Sequence, residues 1–427
     1  MQTIHFIGIG GVGMSALAQA FLDKGWQVSG SDRLLAMGEE TPVLRVLREQ
    51  GCRLFPQDGS GIQAGMSVVY STAIEPTNPD WVAAQTHQCP LLHRSEALAK
   101  LAEGHALIAV TGTCGKSSVT AMLGHLLTAC GCDPFILNGA EMTGYDCNGT
   151  RVGSVRSSSS STGFMVVEAD ESDKSLMALS PTHVIVTNAS SDHFSKEEAI
   201  ALFGAFKAKA SGVIIDTCDA PLPQIEKSQG WETTFLWRGE QWMLPMPGQH
   251  NVANAMVALE MAVALGCEIP ALKEALKHFQ GIRRRLERTG LCQGAVVVDD
   301  YAHNTEKLAA AWQTLTEAFP AGVVGLWRPH GYAPLRKLQA DLPAMFNRVV
   351  RPCDQLLLLP VYDAGGTADR SVNTEVLLPH LTCPAQLLPD LDAAEVTLRA
   401  FAVEGKCLAL FGARDPGLPK LAQRLTR

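Results

Sequence analysis

Residues 110–118, with the sequence VTGTCGKSS, place two glycines and a lysine between an apolar run and a helical pattern. Gly112 and Gly115 free the backbone to wrap around phosphate oxygens. Lys116 can neutralise terminal phosphates, and the Ser117 hydroxyl is of the kind that ligates Mg²⁺. The strict phosphate-loop pattern needs another glycine at the first of these positions, where this chain has valine. A structural turn with a surface lysine is the alternative, but the surrounding strand and helix favour a nucleotide-phosphate site.

Two later apolar runs end in residues that could hold Mg²⁺ near this loop. The run FMVVEADES contains Glu168 and Asp170, and the run HVIVTNASSDH ends in Asn188, Asp192 and His193. Carboxylate oxygens suit a hard cation, and a histidine beside a phosphate loop could serve a second metal ion. A lone histidine is more often structural, so the prediction for His193 depends on the whole constellation.

A second glycine-rich turn lies near the start of the chain. Gly8, Gly10 and Gly13 form a G-x-G-x-x-G pattern between a strand and a helix. Such glycines let backbone N–H groups approach a diphosphate at a helix N-terminus. Asp32 ends the next strand, where an acidic residue could meet a ribose or a base. The alternative is a glycine turn that serves only close packing of the helix on the strand.

Two further groups could contact a nucleotide. Asn251 and Asn254 are three residues apart at a helix start, so they share one face that suits a purine. Simple helix capping by Asn251 is the alternative. Residues 283–285 are three arginines at a predicted domain joint; such a run is usually solvated, but one member could clamp phosphate charge.

Composition excludes several classes of protein. The chain has 427 residues, 46% of them hydrophobic and 18% charged, with a net charge of −8 and no basic block, which argues against nucleic acid. Its 12 cysteines include no Cys-x-x-Cys pair, which disfavours zinc and suits a reducing cytosol. No apolar run reaches the length of a membrane span, and the first residues lack signal-peptide features. We expect a soluble, cytoplasmic protein without membrane insertion.

The elements that must position these residues alternate between strands and helices. Apolar runs ending in polar residues recur along the chain, and helical patterns such as MSALAQAFLDKG and GQHNVANAMVALEMAVALG lie between them. This alternation predicts an α/β protein with parallel sheets, in which ligands collect at the carboxyl ends of the strands. We predict three domains, over residues 1–104, 105–285 and 286–427.

Seven motifs in fixed order resemble the Mur ligase family over nearly the whole chain. They are HFIGIGGVGMSALA, TGTCGKSS, EADESD, TNASSDH, PGQHNVANA, GIRRRLE and VVDDYAHN. The resemblance is closest to the branch that adds L-alanine to UDP-N-acetylmuramate and to the related murein-peptide ligases. It implies an N-terminal Rossmann-like domain for the UDP-substrate, a central P-loop ATPase-type parallel sheet, and a C-terminal Rossmann-like domain for the amino acid.

The resemblance also implies the chemistry. Mg²⁺ and ATP would convert a carboxylate of a UDP-N-acetylmuramate-like nucleotide sugar into an acyl phosphate, and the amine of an amino acid or peptide would then displace the phosphate. Lys116, Glu168, His193 and His303 would act in catalysis, and Ser117, Glu168 and His193 would hold the metal. The implied ATP contacts are Gly112, Thr113, Gly115, Lys116, Ser117, Ser118, Asn251, Asn254, Arg284, Asp299 and Asp300. The implied contacts of the UDP-substrate are Gly10, Gly11, Val12, Gly13, Met14, Asp32, Ser71, Thr72 and Asn138.

The chain departs from the alanine-adding branch where the amino acid should bind. Gly331 and Pro334 replace two arginines that would face the amino-acid carboxylate; Arg336 is retained, and Arg328 or Arg370 could compensate. Four hypotheses stay open. The chain adds alanine; it is a paralogous ligase for another amine or a peptide; it is a catalytically silent UDP-sugar-binding regulator; or it is a nicotinamide-dependent oxidoreductase, which the glycine turn alone supports.

Overall fold

The computed structural model describes residues 2–146, 149–160, 162–190, 194–218, 220–221, 223–363 and 369–427. The chain divides into two compact units. The first unit comprises Met1–Pro223 and His250–Ile282, and the second comprises Gln224–Gln249 and Arg283–Arg427. The domain boundaries predicted at residues 104 and 285 stay predictions.

The first sheet of the first unit is built from the N-terminal strands. Its elements are β1 (Thr3–Ile7), α1 (Val12–Asp23), β2 (Gln27–Asp32), α2 (Arg33–Ala36), α3 (Pro42–Glu49), β3 (Arg53–Pro56), β4 (Ser67–Tyr70), α4 (Pro79–Thr86), β5 (Leu91–His93) and α5 (Arg94–Leu101). The five strands are parallel in the order β3-β2-β1-β4-β5. The strand order reverses direction at β1, so the glycine turn after β1 lies where open α/β sheets bind ligands.

The second sheet of this unit carries the other glycine loop. Its elements are β6 (Ala106–Thr111), α6 (Lys116–Ala129), β7 (Phe135–Leu137), β8 (Val155–Arg156), β9 (Phe164–Glu168), a 3-10 helix (Ser175–Ala178), β10 (His183–Val186), α7 (Lys196–Lys207), β11 (Ile214–Asp216), α8 (Gln249–Ala264) and α9 (Ile269–Lys277). The six strands follow the order β11-β10-β6-β9-β7-β8, and only the β7–β8 pair is antiparallel. A continuous buried apolar cluster includes residues of both sheets, such as Phe6 and Val167.

The second unit contains a small antiparallel sheet and a six-stranded sheet. Its elements are β12 (Ile225–Gln229), β13 (Glu232–Trp237), β14 (Glu240–Leu244), β15 (Glu287–Cys292), β16 (Ala295–Asp300), α10 (Thr305–Ala318), β17 (Val323–Trp327), α11 (Tyr332–Leu338), α12 (Asp341–Val349), β18 (Gln355–Leu358), a 3-10 helix (Thr374–His380), β19 (Ala385–Leu387), α13 (Leu391–Phe401), β20 (Cys407–Phe411) and α14 (Gly417–Leu425). The larger sheet has the order β15-β16-β20-β17-β18-β19 and is parallel except for β15–β16.

The central strands are apolar because helices cover both of their faces. Neighbouring residues of β16 illustrate this, since Val297 and Val298 belong to different buried clusters on opposite sides of the sheet. The predicted α/β class with parallel sheets is confirmed. Among the described residues, no helix combines the length and the apolar character that crossing a bilayer would require.

Candidate active site

The loop at residues 112–115 lies at the carboxyl edge of the second sheet. Strand β6 enters the loop and α6 begins at Lys116. Val110 of β6 is the register partner of Glu168 at the end of β9, and Thr111 is the partner of Val186 at the end of β10. Parallel pairing therefore brings the polar residues after both neighbouring strands to the sides of this loop.

Two glycines of the loop occupy positions that no other residue fits. Gly112 has a φ of +130°, and a Cβ there would lie 2.1 Å from Thr187 Oγ1. Gly115 has a φ of +85°, and a Cβ there would lie 2.4 Å from Asn254 Oδ1. The loop thus needs glycine both for its left-handed backbone and for close approach of its neighbours. Asn254 of α8 lies directly against the loop, as its predicted role in the site requires.

Residues after β10 clamp the loop from the side. Asn188 Oδ1 accepts a hydrogen bond from Cys114 N at 2.9 Å, and Asn188 Nδ2 donates to Cys114 O at 2.8 Å. Thr187 Oγ1 donates to the same carbonyl at 2.6 Å. Thr113 N donates to Asn188 O at 3.1 Å. Asn188 was expected at this strand end from the sequence, but the role of Thr187 and Asn188 in holding the loop was not predicted, because it depends on contacts between distant segments.

Lys116 is held inside the site by the protein itself. Its Nζ donates to Gly112 O at 2.9 Å and lies 2.7 Å from Glu171 Oε2. The side chains of Lys116 and Glu171 are 13% and 4% exposed. Glu171 Oε2 accepts no directed hydrogen bond from a described residue, so the pair is a close contact of charges. Sequence reasoning missed Glu171, whose signal was a second glutamate in the motif EADESD.

A tight turn connects Glu168 with the start of α6. Gly139 N donates to Glu168 Oε2 at 2.8 Å, and the buried Asn138 donates through Nδ2 to Ser117 O at 3.2 Å. A Cβ on Gly139 would lie 2.5 Å from Glu168 Oε2, so a larger residue there would displace the Glu168 carboxylate. The turn brings together the three predicted residues Asn138, Ser117 and Glu168.

The predicted metal site is incomplete within the described part of the chain. His193 lies outside the described residues. Within the described residues, no cluster of three or more histidine, cysteine, aspartate or glutamate side chains has the arrangement to hold a metal ion. Ser117 and Glu168 remain the predicted metal ligands, with nucleotide phosphates and water as the expected additional ones.

A cavity of about 200 Å³ in the first unit joins the N-terminal glycine turn with the turn at Asn138 and Gly139 and with Glu168. Gly13, Arg94, Asn138, Gly139, Glu168 and Asp170 are among its lining residues. Arg94 NH2 lies 3.1 Å from Asp170 Oδ2 and 3.5 Å from Asp173 Oδ2, which fixes its guanidinium at the wall. Arg94 was not predicted as a site residue, because nothing near it in the sequence marks it as one.

The N-terminal glycine turn has the predicted strand-to-helix position. Gly11 is the N-cap of α1, whose first turn contains the exposed Val12 and the buried Met14. Asp32 uses both carboxylate oxygens within the protein, accepting from Gly10 N and from Leu34 N at 3.0 Å each. In this conformation the carboxylate of Asp32 shapes the turn, and its contact with a ribose or a base stays a prediction.

Ser71 and Thr72 follow the end of β4, which pairs in parallel with β1. They therefore lie at the same edge of the first sheet as the glycine turn. Asn251, in the first turn of α8, is only 4% exposed. The roles of these three residues in binding the nucleotide sugar and adenine stay predictions.

The predicted residues of the second unit form an internal network. Arg284 Nε donates to Asp299 Oδ2 at 3.1 Å, and its guanidinium also donates to Gly412 O. Burial raises the pKa of Asp299 to about 7, and the charge of Arg284 opposes this rise. Burial also raises the pKa of Asp300, whose two oxygens accept hydrogen bonds from Leu286 N and Ala302 N at 2.7 Å each. Asp300 thus supports its own backbone.

His303 lies beside a second histidine. The ring centroids of His303 and His330 are 5.0 Å apart, at an angle of 76°. Burial lowers the pKa of His303, and burial together with the neighbouring charges of His303 and Arg414 lowers the pKa of His330 to about 4. Both imidazoles are therefore neutral at pH 7 and can accept hydrogen bonds from a cationic amine.

The retained Arg336 and the two arginines expected to compensate for Gly331 and Pro334 are each paired with a carboxylate. Arg328 lies 2.7 Å from Asp415, Arg336 lies 2.7 Å from Asp369, and Arg370 lies 2.7 Å from Asp363. The positive charge of each guanidinium is therefore already partly neutralised within the protein.

Family models match three parts of the chain. The model described as "Mur ligase family, catalytic domain" matches residues 3–106. The "Mur ligase middle domain" matches residues 110–209, and "Mur ligase, glutamate ligase domain" matches residues 284–414. The three-domain α/β architecture predicted from the motifs is thus confirmed.

Individual relatives match almost the full length of the chain. A UDP-N-acetylmuramate–L-alanine ligase of Kineococcus radiotolerans is 34% identical, with 96% of this chain and 93% of the relative covered. The corresponding ligase of Maricaulis maris is 33% identical, with 96% and 94% covered. The crystal structure of UDP-N-acetylmuramate-alanine ligase from Thermotoga maritima superposes with a TM-score of 0.80 at 25% identity, covering 100% and 98% of the two chains. A murein peptide ligase from Psychrobacter arcticus shares the fold, with a TM-score of 0.61 at 20% identity over 100% and 98% of the two chains.

Proposed function

The chain belongs to the Mur ligase family, and we propose that its loop at residues 112–115 binds the phosphates of ATP while its N-terminal glycine turn binds the nucleotide of the acid substrate. The chain is an ATP-dependent ligase that forms a C–N bond. It joins an amino acid or a peptide to a UDP-N-acetylmuramate-type carboxylate through an acyl phosphate, in the synthesis or recycling of peptidoglycan precursors.

The backbone cradle at residues 112–115 is the observation that carries the ATP proposal. Gly112 and Gly115 contribute no side chain to the two ends of the loop, and Lys116 points its ammonium at a loop carbonyl. Phosphate oxygens would offer Lys116 stronger acceptors than that carbonyl. The proposed ATP contacts are Gly112, Thr113, Gly115, Lys116, Ser117 and Ser118 for the phosphates, Asn251 and Asn254 for adenine, and Arg284, Asp299 and Asp300 for the remaining nucleotide.

The residues around the loop fit a magnesium ion. Ser117 offers a hydroxyl and Glu168 a carboxylate, and the turn at Asn138 and Gly139 ties the two together. Mg²⁺ commonly takes only one or two protein ligands and completes its shell with phosphate oxygens and water. When bound, Mg²⁺ would supply positive charge between the γ-phosphate and the substrate carboxylate. His193 remains a predicted ligand.

The nucleotide-sugar acid is proposed to bind along the cavity and the edge of the first sheet. Gly10, Gly11, Val12, Gly13, Met14, Asp32, Ser71, Thr72 and Asn138 are the proposed contacts. Gly13, Asn138 and Glu168 line one cavity, which supports a substrate extending from the glycine turn to the predicted metal ligand Glu168. The free backbone N–H groups at the start of α1 suit a diphosphate.

The residues of the site must reduce the electrostatic repulsion between two negatively charged reactants. The substrate carboxylate and the γ-phosphate repel each other, and Lys116 lowers this repulsion by its positive charge. Lys116 must exchange Glu171 for phosphate oxygens as its partner, so Glu171 competes with ATP for the ammonium. His303 is proposed to face the incoming amine, because a neutral imidazole can accept a proton from it.

The amine substrate of the ligase could be a compound other than free alanine, and this is the second candidate function. Glycine and proline at positions 331 and 334, at the start of α11, provide no charge for an amino-acid carboxylate. A peptide or a different amino acid would be consistent with this difference. We also propose the cytoplasm as the location, since the described cysteines are free thiols and ATP is supplied there.

A single assay tests the proposed function. Purified full-length protein is supplied with ATP, Mg²⁺, UDP-N-acetylmuramate and a panel of amino acids and short L-alanyl peptides. We expect phosphate release that matches formation of an amide product, detected by its mass, with one or a few members of the panel. The variant Lys116→Met should lose at least about 100-fold in kcat, the scale of removing one preorganised donor.

The control Lys196→Met removes an exposed lysine of the same unit and should behave like the parent. No phosphate release with any member of the panel would overturn the proposed function. Equal turnover of the parent and Lys116→Met would overturn the assignment of the phosphate loop.

A further inference from the structure

Three neighbouring parallel strands of the second unit, β16, β20 and β17, have their last residues in register with one another. Phe411, the last residue of β20, is the register partner of Asp300 at the end of β16 and of Trp327 at the end of β17. Backbone bonds extend this pairing, since Gly412 N donates to Asp300 O and Arg328 N donates to Phe411 O at 3.1 Å each. The loops after the three strands therefore begin side by side.

One polar residue stands three positions beyond each strand end. These residues are His303, His330 and Arg414. The rings of the two histidines touch edge to face. The positive charge of Arg414 also lowers the pKa of both histidines, in keeping with its place in the neighbouring loop. Strand register thus brings the three residues into adjacent loops at one edge of the sheet.

The backbone at Arg414 is fixed in an unfavourable conformation. Its φ is +64°, in the left-handed region that costs a non-glycine residue about 1 kcal/mol. The next residue, Asp415, anchors this conformation through its side chain, which pairs with Arg328 at 2.7 Å and accepts from Gly417 N at 2.7 Å. A strained position that holds an arginine where glycine would fit better suggests that the side chain serves a function.

Arg414 also differs from the other arginines at this edge. Arg328, Arg336 and Arg370 are each paired with a carboxylate. The side chain of Arg414 is exposed, and within the described ranges no residue forms a hydrogen bond or an ion pair with it. A cation beside two neutral imidazoles, with no anion of its own, offers a place for an anionic group.

We propose that Arg414 binds the carboxylate of the incoming amine substrate and so determines which amines the enzyme accepts. This inference rests on the proposed function. The guanidinium fork matches a carboxylate with two parallel hydrogen bonds. His303 and His330, being uncharged, accept hydrogen bonds from the ammonium without repelling it. One arginine from the end of β20 thereby takes the role for which positions 331 and 334 provide no charge.

Kinetics with paired amines test this assignment. The amine that supports turnover is compared with its C-terminal primary amide, which keeps the ammonium and loses the negative charge. The parent should favour the free acid. Arg414→Gly should raise KM for the free acid by roughly 10- to 100-fold, the range expected for a charge-assisted hydrogen bond, and should remove the preference over the amide. KM for ATP and for the nucleotide-sugar acid should stay unchanged.

Glycine is the replacement at position 414 because it distinguishes an effect on substrate binding from an effect on folding. Because glycine relieves the left-handed strain, Arg414→Gly should melt at the same temperature as the parent or higher. Arg414→Lys should recover part of the affinity for the free acid. The control Arg348→Gln removes an exposed arginine from α12 and should leave every constant unchanged.

The outcomes are distinguishable. An active parent together with an Arg414→Gly variant that keeps its KM and its preference for the free acid would overturn the inference and leave the proposed function standing. A rise of KM for ATP in place of the amine would also overturn it. A parent that is inactive with every substrate would overturn the proposed function and this inference with it.

Discussion

The two sheet edges that carry the candidate chemistry are built in opposite ways. At the edge of the second sheet, the loop at residues 112–115 is clamped by Thr187 and Asn188, and Lys116 is neutralised by Glu171. At the edge of the C-terminal sheet, Arg414 is exposed and without an internal anion among the described residues. At the first edge the charged groups are paired within the protein. At the second edge the guanidinium of Arg414 has no internal anion among the described residues.

This difference follows from what each edge must recognise. A phosphate chain is bound mainly by backbone N–H groups, whose positions must be fixed before the ligand arrives. A variable amine can be selected by one charged side chain on an otherwise ordinary loop. A change in the backbone should therefore damage the first edge severely, whereas a side-chain change at the second edge should alter only selectivity.

The largest expected effect comes from adding a methyl group to the phosphate loop. In Gly112→Ala the new Cβ would lie 2.1 Å from Thr187 Oγ1 and 3.0 Å from Thr187 N, and the φ of +130° is unfavourable for alanine. We expect a loss of about 3 kcal/mol in the free energy of unfolding and no measurable ATP consumption. Urea unfolding and phosphate release would measure the two effects.

Gly131→Ala is the matched control for this change. Gly131 also has a left-handed φ, of +79°, but no atom lies within 4 Å of its Cβ position. It should cost only about 1 kcal/mol and leave ATP consumption intact. Equal effects of the two substitutions would mean that the clamp by Thr187 is unimportant and that the two edges do not differ as described.

A smaller effect is expected from removing the internal partner of Lys116. Glu171→Gln removes the carboxylate in direct contact with the ammonium and should cost about 2 kcal/mol in the nucleotide-free protein. The cost should be below that of breaking a fully buried pair, because Lys116 also donates to Gly112 O. ATP phosphates would replace Glu171, so the stabilisation of the variant by Mg²⁺ and ATP should exceed that of the parent.

Thermal unfolding with and without Mg²⁺ and ATP checks this expectation. Asp173→Asn is a useful control, since Asp173 pairs with Arg94 and not with Lys116. An identical melting shift with nucleotide in the parent and in Glu171→Gln would show that Glu171 does not compete with phosphate.

The smallest effect concerns the pH dependence of stability. His5 is fully buried in the first sheet, and burial lowers its pKa from 6.5 to about 4. Between these values the unfolded chain binds a proton that the folded chain does not, so stability is lost as the pH falls from 6.5 towards 4. His5 alone should cost on the order of 1–2 kcal/mol between pH 7 and pH 5.

Urea unfolding at pH 7 and pH 5 measures this loss, and His5→Gln should reduce it. His330 has a similarly low pKa, so the same linkage predicts that His330→Gln should also reduce the loss of stability at low pH. An unchanged pH dependence in both variants would contradict the low pKa values of the two histidines.

Much of the candidate site was predictable because its signals are local. The motif TGTCGKSS indicates a strand, a loop that needs glycine and a helix, all within a few residues. The structure has the same order, with β6 ending at Thr111 and α6 beginning at Lys116. The parallel α/β class was also predictable, because strands covered on both faces must be apolar along their whole length.

Residues whose role depends on pairing between distant segments were not predictable. Glu171 and Arg94 acquire partners only through the packing of the first unit, in which Arg94 is 76 residues from Asp170 in the sequence. The expectation that Arg328, Arg336 or Arg370 would be available also came from the sequence, which does not reveal their ion pairs.

The sequence by itself determined the family, the order of strands and helices, and the glycines without which the phosphate loop could not form, because each of these depends on a few consecutive residues. Only the tertiary structure decided which charges are neutralised and which remain available. Ion pairing depends on distances of a few ångströms between segments that the chain separates widely, and strand register sets those distances. Arg414 is the clearest case, since three strands from different parts of the chain must align before it meets His303 and His330.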